Sequence, residues 1–293
     1  MDDVLASMDD GIGVVRLNRP ARSNSVTPEV VTELGRAVAD MAGRPDIRAV
    51  ILTGTGRVFC AGADVQEMHA VYRNSGADGL MNYLAEVWMP AVQRTVRLLW
   101  GVPKPLVAAF HGAATAGGLD FGLCCDLRIA ADTARFAESY VNLGMVPVAG
   151  GAYLLPLTIG RTAAMDMLSS GTLIDAQTAR EIGLVSEICS ADDLPARARA
   201  AAERASRAPV SSLAAVKRLA RAHQTDALDA ALRASLAANI ELITQEDVRH
   251  SIVAVMERYS RTANMSKGGA VPVDEVAQAL LQRDRAGDAE DRA

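Results

Sequence analysis

Two stretches of the sequence join an apolar run to a turn of small residues, an arrangement suited to holding an anion on backbone amides. The first is the run Ala49 to Thr53 with Gly54, continued by Phe59-Cys60-Ala61-Gly62-Ala63-Asp64. The second is Leu106 to Phe110, continued by His111-Gly112-Ala113-Ala114-Thr115-Ala116-Gly117-Gly118-Leu119-Asp120. Small residues let N–H groups approach a ligand without a bulky side chain between, and a helix N-terminus adds partial positive charge. Two such groups converging on a thioester oxygen would stabilise an enolate, each donor contributing ~3 to 4 kcal/mol in the transition state. The same glycines also suit tight turns and close helix packing, and composition alone leaves both readings open.

Other chemistries find less support. Gly54-Thr55-Gly56 follows a strand-like run, but Phe59 stands where a dinucleotide fingerprint needs its third glycine. There is no phosphate loop, no Gly-x-Ser-x-Gly elbow and no Cys-x-x-Cys pair. The four histidines, His69, His111, His223 and His250, are too scattered for metal-ligand spacing, so no metal site is expected. His111 lies nearest the small-residue turns. The four cysteines, Cys60, Cys124, Cys125 and Cys189, are too few and too irregular for a disulfide framework, which fits a reducing compartment.

The elements that must carry these turns are legible in the pattern. Ile12 to Leu17, Ala49 to Thr53, Leu106 to Phe110 and Leu127 to Ala130 read as strands, each closed by a turn former or a charge. Thr27 as N-cap, Pro28 in first helical position and Glu29 in the first turn open a helix with Val30, Val31, Leu34, Val38 and Met41 on one face. Strand, helix, strand in this order points to parallel pairing and a mixed α/β class. After about Gly160 helical segments dominate, broken at Gly171, Gly183, Ala208-Pro209 and around Gln245. From Lys267 the chain is Gly-rich and then charged, with room for a short helix from Asp274 to Gln282, and is expected to be a loosely held tail.

The 293 residues, 50% hydrophobic and 22% charged, suffice for a sizeable core. Thirty Lys and Arg against thirty-five Asp and Glu give a net charge of -5 without a basic block, which argues against nucleic acid as main ligand. The start, Met1-Asp2-Asp3-Val4, lacks the pattern of a secretory signal. The charge-free stretch Ser139 to Gly160 is interrupted by Gly144, Pro147, Gly150, Gly151 and Pro156, and reads as buried loop and short helix, with no membrane role. A cytoplasmic location is expected.

From about Gly11 to Arg261 the sequence resembles the crotonase superfamily, the enoyl-CoA hydratase and isomerase family. The resemblance is carried in order by Leu17-Asn18-Arg19-Pro20 with Asn24, Phe59 to Asp64, Lys104-Pro105 with His111-Gly112, and Ala116-Gly117-Gly118. It continues through Cys125 to Ala130, Ala134-Arg135-Phe136, Asn142 to Pro147, Gly150-Gly151, Ile159-Gly160-Arg161 and Gly183-Leu184-Val185. It implies an α/β crotonase spiral of ββα units over 1–195 with the CoA-thioester site, a helical trimerisation region over 196–266 and the charged tail over 267–293. It also implies an acyl-CoA substrate, no separate cofactor since coenzyme A is part of that substrate, and assembly as a homotrimer or dimer of trimers. By position, the oxyanion donors would be the amides of Ala63 and Gly117. The stretch Ala61, Gly62, Ala63, Asp64, Val65 and Gln66 would line the adenine and pantetheine path, and Arg22 would meet the CoA phosphates.

The resemblance breaks where hydratases of the family carry two glutamates. Here those positions hold Asp120 and Tyr140. Asp120 could move a proton, although its carboxyl is one methylene, ~1.5 Å, shorter in reach. It could also merely satisfy amides at a helix start. Tyr140, with a reference pKa near 10, orients or donates better than it accepts, or simply walls an acyl pocket. Glu138, two residues earlier on the same face of an extended segment, is a further candidate carboxylate. Relatives with an aspartate after the Val-Pro motif match Val148 here, which removes a nucleophilic dehalogenation. The sequence thus points to an enoyl-CoA hydratase/isomerase family enzyme with Asp120 as acid/base. The alternatives are other enolate chemistry (thioester hydrolysis, decarboxylation or dienoyl-CoA isomerisation) and a catalytically silent acyl-CoA binding protein.

Overall fold

The computed structural model describes residues 2–265, with side chains to residue 258. The expected tail over 267–293 and its short helix lie outside the described residues. The main sheet has six strands in the order β1-β2-β3-β4-β6-β9: β1 Val4–Asp9, β2 Ile12–Leu17, β3 Ala49–Gly54, β4 Leu106–Phe110, β6 Leu127–Ala131 and β9 Glu187–Cys189. β1 and β2 form an antiparallel hairpin, and every later pairing in this sheet is parallel. A second sheet joins β5 Ala113–Thr115, β7 Arg135–Ala137 and β8 Ile174–Asp175 in the order β5-β7-β8.

The two mixed sheets follow from where the apolar residues point. Along β3, Val50 and Leu52 face the larger core, under α1 (Pro28–Gly43) and the helices that follow it, whereas Ala49 and Ile51 face a smaller core under α8 (Leu194–Ala205). Both faces are covered, so the central strands β3 and β4 are apolar on both sides but for Thr53 and Gly54 at the end of β3. α1 starts as its sequence demands: Thr27 Oγ1 accepts from the Val30 amide, and Val30, Val31, Leu34, Val38 and Met41 are buried. The chain leaves the main sheet at the corner His111-Gly112, and that corner is pinned by edge-to-face contacts of Phe110 with Phe59 and Phe136, with ring centroids 4.7 and 5.1 Å apart.

A long helical arm follows β3: α2 Val65–Tyr83, a π turn at Leu84–Trp88, and α3 Met89–Gly101. Pro90 has no N–H to give to the turn before it, which accounts for the wider turn at this point. α4 Gly117–Leu123 opens the second turn of interest, and a 3-10 segment, Ser139–Leu143, precedes α5 Gly151–Ile159 and α6 Arg161–Ser170. The remaining helices are α7 Ala176–Glu181, α9 Val210–Ala220, α10 Thr225–Leu242 and α11 Glu246–Met265. The breaks at Gly171, Gly183, Pro209 and Gln245 fall between these helices. Among the described residues, no helix is long and apolar enough to cross a membrane.

Candidate active site

The first turn is held by a lattice of backbone bonds that leaves one amide over. Val26 donates to the Gly62 carbonyl (2.8 Å) and accepts from the Asp64 amide (3.1 Å), so in this parallel bridge Ala63 lies between the two bonded residues and its own N–H faces away from Val26. Gly62 takes φ +86°, a conformation that costs glycine least, and it lies against Thr115, Ala116 and Gly117 of the other turn. The loop below is locked by Asn24, buried and itself at φ +52°. Its Oδ1 accepts from the Arg19 amide and its Nδ2 donates to the carbonyls of Thr55 and Val58, all at 2.8 Å.

The second turn stores strain. Ala116 sits at φ +49°, ψ -124°, a region costly for a residue with a Cβ, and is pinned there by donating its N–H to the Ala137 carbonyl at 2.8 Å. The next residue, Gly117, is the first of α4, so its amide has no partner within the helix. Gly118 must be glycine for another reason: a Cβ there would stand 2.3 Å from the Cys60 carbonyl oxygen. Thr115 is opposite Ala137 in the β5-β7 pair, so residues 116–117 and 138–140 emerge side by side from one edge. The two turns, distant in sequence, line a single cavity of about 110 Å³ with Ala61, Ala63, Thr115, Ala116, Gly117 and Tyr140 at its polar end. The rest of its wall is largely apolar, with Met68, Leu84 and Trp88 from the helical arm, Leu143 and Met145 at and after the end of the 3-10 segment, and Ile252 and Met256 from α11; Ser139 and Asn142 of the 3-10 segment are the polar exceptions.

Of the candidate acid and base groups, only Tyr140 reaches this cavity. Its hydroxyl lies 3.4 Å from where a Cβ on Gly117 would sit, and it donates to Asp120 Oδ2 at 3.0 Å. Asp120, on α4, is completely buried behind Tyr140, and Glu138 is buried beside it. Asp120 Oδ1 and both Glu138 carboxyl oxygens have no donor from the rest of the protein. The two carboxyls are thus each other's remaining partners, and a hydrogen bond between them requires a proton on one. Burial pushes the Asp120 carboxyl up to about 7, held back by hydrogen bonds from Glu138 and Tyr140. Burial, then the Asp120 charge, pushes Glu138 well above the usual carboxylate range, and burial keeps the Tyr140 hydroxyl protonated. The reading of Asp120 as a helix-start residue serving amides does not describe this position, since its free oxygen faces Glu138.

The expected CoA-path residues divide. Ala61 and Val65 line the cavity with Ala63, whereas Asp64 turns inward, caps α2 by accepting from the Gln66 and Glu67 amides, and pairs with Arg19 at 3.0 Å. Arg22 is exposed at the end of a 3-10 turn, and its loop is tied to Ala61 through the Ser23 carbonyl at 3.1 Å. His111 lines a different cavity, on the α8 side of the main sheet, together with Arg16 and Arg199. Among the described residues, no three His, Cys, Asp or Glu side chains gather as a metal site.

A family profile described as Enoyl-CoA hydratase/isomerase matches residues 7–263. The chain belongs to this family. It is therefore an enoyl-CoA hydratase/isomerase-family enzyme acting on acyl-CoA. It is 32% identical over 282 residues to a probable enoyl-CoA hydratase of Mycobacterium tuberculosis, covering 96% of this chain and 99% of that protein. It is 31% identical over 232 residues to the 1,2-epoxyphenylacetyl-CoA isomerase of Escherichia coli, covering 79% and 87%. Its fold matches the crystal structure of an enoyl-CoA hydratase/isomerase from Xanthobacter autotrophicus with a TM-score of 0.79 at 26% identity over 98% of both chains. The α/β crotonase fold, two mixed sheets with C-terminal helices, is thereby shown. Within the family fold, the cavity walls on the arm and α11 are the part that sequence reasoning missed. Met68, Leu84, Trp88, Ile252 and Met256 carry no signal apart from their apolarity, because their convergence depends on how the arm and α11 pack.

Proposed function

We propose that this enzyme binds an enoyl-CoA thioester with the carbonyl oxygen on the Ala63 and Gly117 amides, and moves a proton along the acyl chain through Tyr140 backed by Asp120. The observation that carries this reading is that both turns and Tyr140 line one largely apolar cavity, with the Tyr140 hydroxyl bonded to Asp120 behind it. In the isomerising direction the Cα–H bond breaks and its proton passes to the Tyr140 oxygen while the Tyr140 proton passes to Asp120. The electron pair left at Cα spreads onto the thioester oxygen, where the two amides stabilise it. Tyr140 then returns a proton at Cγ and regains one from Asp120, so the double bond shifts with no net proton uptake. Proton shift is favoured over hydration because neither carboxylate lines the cavity to hold a water molecule.

Ala61, Gly62 and Val65 to Gln66 would border the pantetheine path and Arg22 the phosphates, with Asp64 fixing the turn and not touching coenzyme A. Association as a trimer or dimer of trimers through the helical region 196–266 and residence in the cytoplasm complete the proposal. The test compares turnover of 3-enoyl-CoA and crotonyl-CoA by the wild type and by Asp120→Asn. Isomerisation should exceed hydration in the wild type and fall by two to four orders of magnitude in the variant, on the scale usual for general acid-base groups of ~10² to 10⁴. Unchanged activity in Asp120→Asn would remove Asp120 from the mechanism. A wild type that turns over neither substrate would return the site to other enolate chemistry or to silent binding.

A further inference from the structure

Glu138 is not needed by the relay just described, yet it is buried, makes no ion pair among the described residues, and has no donor for either carboxyl oxygen. Its position is set from two sides. β7 ends one residue before it, which turns its side chain toward α4. The backbone of α5 closes the other flank: a Cβ on Gly151 would lie 2.2 Å from Asp120 Oδ1 and 2.7 Å from Glu138 Oε1, so both oxygens crowd one point that only glycine leaves open. Gly151 thus lets the backbone of α5 lie directly against both carboxyls.

We propose that Glu138 is a positioning residue that holds the single proton of a buried Glu138–Asp120 carboxyl pair, donating it to Asp120 Oδ1 so that Asp120 stays ionised toward the Tyr140 hydroxyl. This rests on the proposed Tyr140 relay and specifies how it is set. Two carboxylates in one dry site cannot both ionise near neutral pH, so one proton stays with the pair. Asp120 has a second donor, Tyr140, whereas Glu138 has none, so the negative charge settles on Asp120. The groups facing the pair are Tyr140, the Cys124 thiol farther along α4, and the backbone of Gly151 from α5; neither carboxyl has a basic partner among the described residues. The directions of the carboxyl shifts agree, Asp120 titrating near 7 and Glu138 remaining protonated.

The proton can be located without substrate. Infrared difference spectra of the full-length enzyme at about pH 8.5, where Asp120 has ionised, should show a buried carboxylic-acid carbonyl band that is absent in Glu138→Gln and present in Asp120→Asn and Tyr140→Phe. Glu67, which burial also raises to about 7, contributes a band that none of these variants removes. The same preparations then give pH-rate profiles. The wild-type profile should rise through about 7 as Asp120 ionises and fall at higher pH as Glu138 loses its proton. Glu138→Gln, whose amide still donates, should keep the rise and lose the fall; Glu138→Ala, which takes the donor away, should move the rise upward by about one pH unit. A band that vanishes in Asp120→Asn and persists in Glu138→Gln would overturn the proposal, as would superimposable profiles for the wild type and Glu138→Gln. Because the spectra need no acyl-CoA, they judge the proton's location even if the isomerisation itself fails.

Discussion

The chemistry of this site turns on which group faces the substrate. Asp120 occupies a position from which a carboxylate would be expected to act directly, but it is fully buried and does not line the cavity, whereas Tyr140, whose hydroxyl it accepts from, does. A phenol alone is a weak base, while one hydrogen-bonded to an ionised, desolvated carboxylate accepts a proton in the same event in which it passes its own on. In the proposed relay Tyr140 and Asp120 act as one unit, and units of this kind are not additive. Tyr140→Phe and Asp120→Asn should each lower kcat by about 10² to 10⁴, and the double variant should be no more than about tenfold worse than the poorer single one. Losses that multiply would show two independent roles.

Among the elements, the decisive fact is how closely the α4 turn rides on the segment of Cys60, which bridges in parallel to Ala114 of β5. Cys60 donates to the Ala113 carbonyl and accepts from the Thr115 amide, both at 3.1 Å, so the first turn is stitched to β5 just where β5 leads into Ala116 and Gly117. A Cβ at Gly118 would collide with backbone and not with a flexible side chain, so nothing can yield without moving one of the two turns. Gly118→Ala should lower stability by about 1 to 3 kcal/mol. It should also reduce kcat/KM for any acyl-CoA substrate, because separating the turns separates the two amides. Thermal melts together with kinetics check this, and a variant that melts lower with kcat/KM unaltered would show that the turns do not have to meet for catalysis.

Across the whole molecule, the distribution of apolar surface points outward at the helical end. α9 has no buried residue, and its Val216 and Leu219 are 64% and 72% exposed; Leu157 on α5 and Met165 on α6 are also more than half exposed. Apolar side chains this exposed suit a subunit contact. The proposed assembly predicts a solution mass that is a multiple of three protomers by light scattering, and Leu219→Lys should shift it toward smaller species. A wild-type mass of one or two protomers would contradict it.

Much of this was written locally. Ile12 to Leu17, Ala49 to Gly54 and Leu106 to Phe110 were legible as short apolar runs bounded by turn formers, and the Thr27-capped helix because its buried residues repeat at the helical period. β1 escaped notice because all but its first residue are exposed, and β5, β7, β8 and β9 because two or three residues carry no period. The small-residue turns, and the two positions where glutamates gave way to Asp120 and Tyr140, could likewise be found by inspection, since each is a matter of residue type and spacing. What only the tertiary structure decided is who touches whom. The parallel pairing of β5 with β7 brings Gly117 beside Tyr140, and the backbone of α5 closes Asp120 and Glu138 into one dry space. A carboxylate's role depends on the water and donors around it, and those are supplied by segments dozens of residues away.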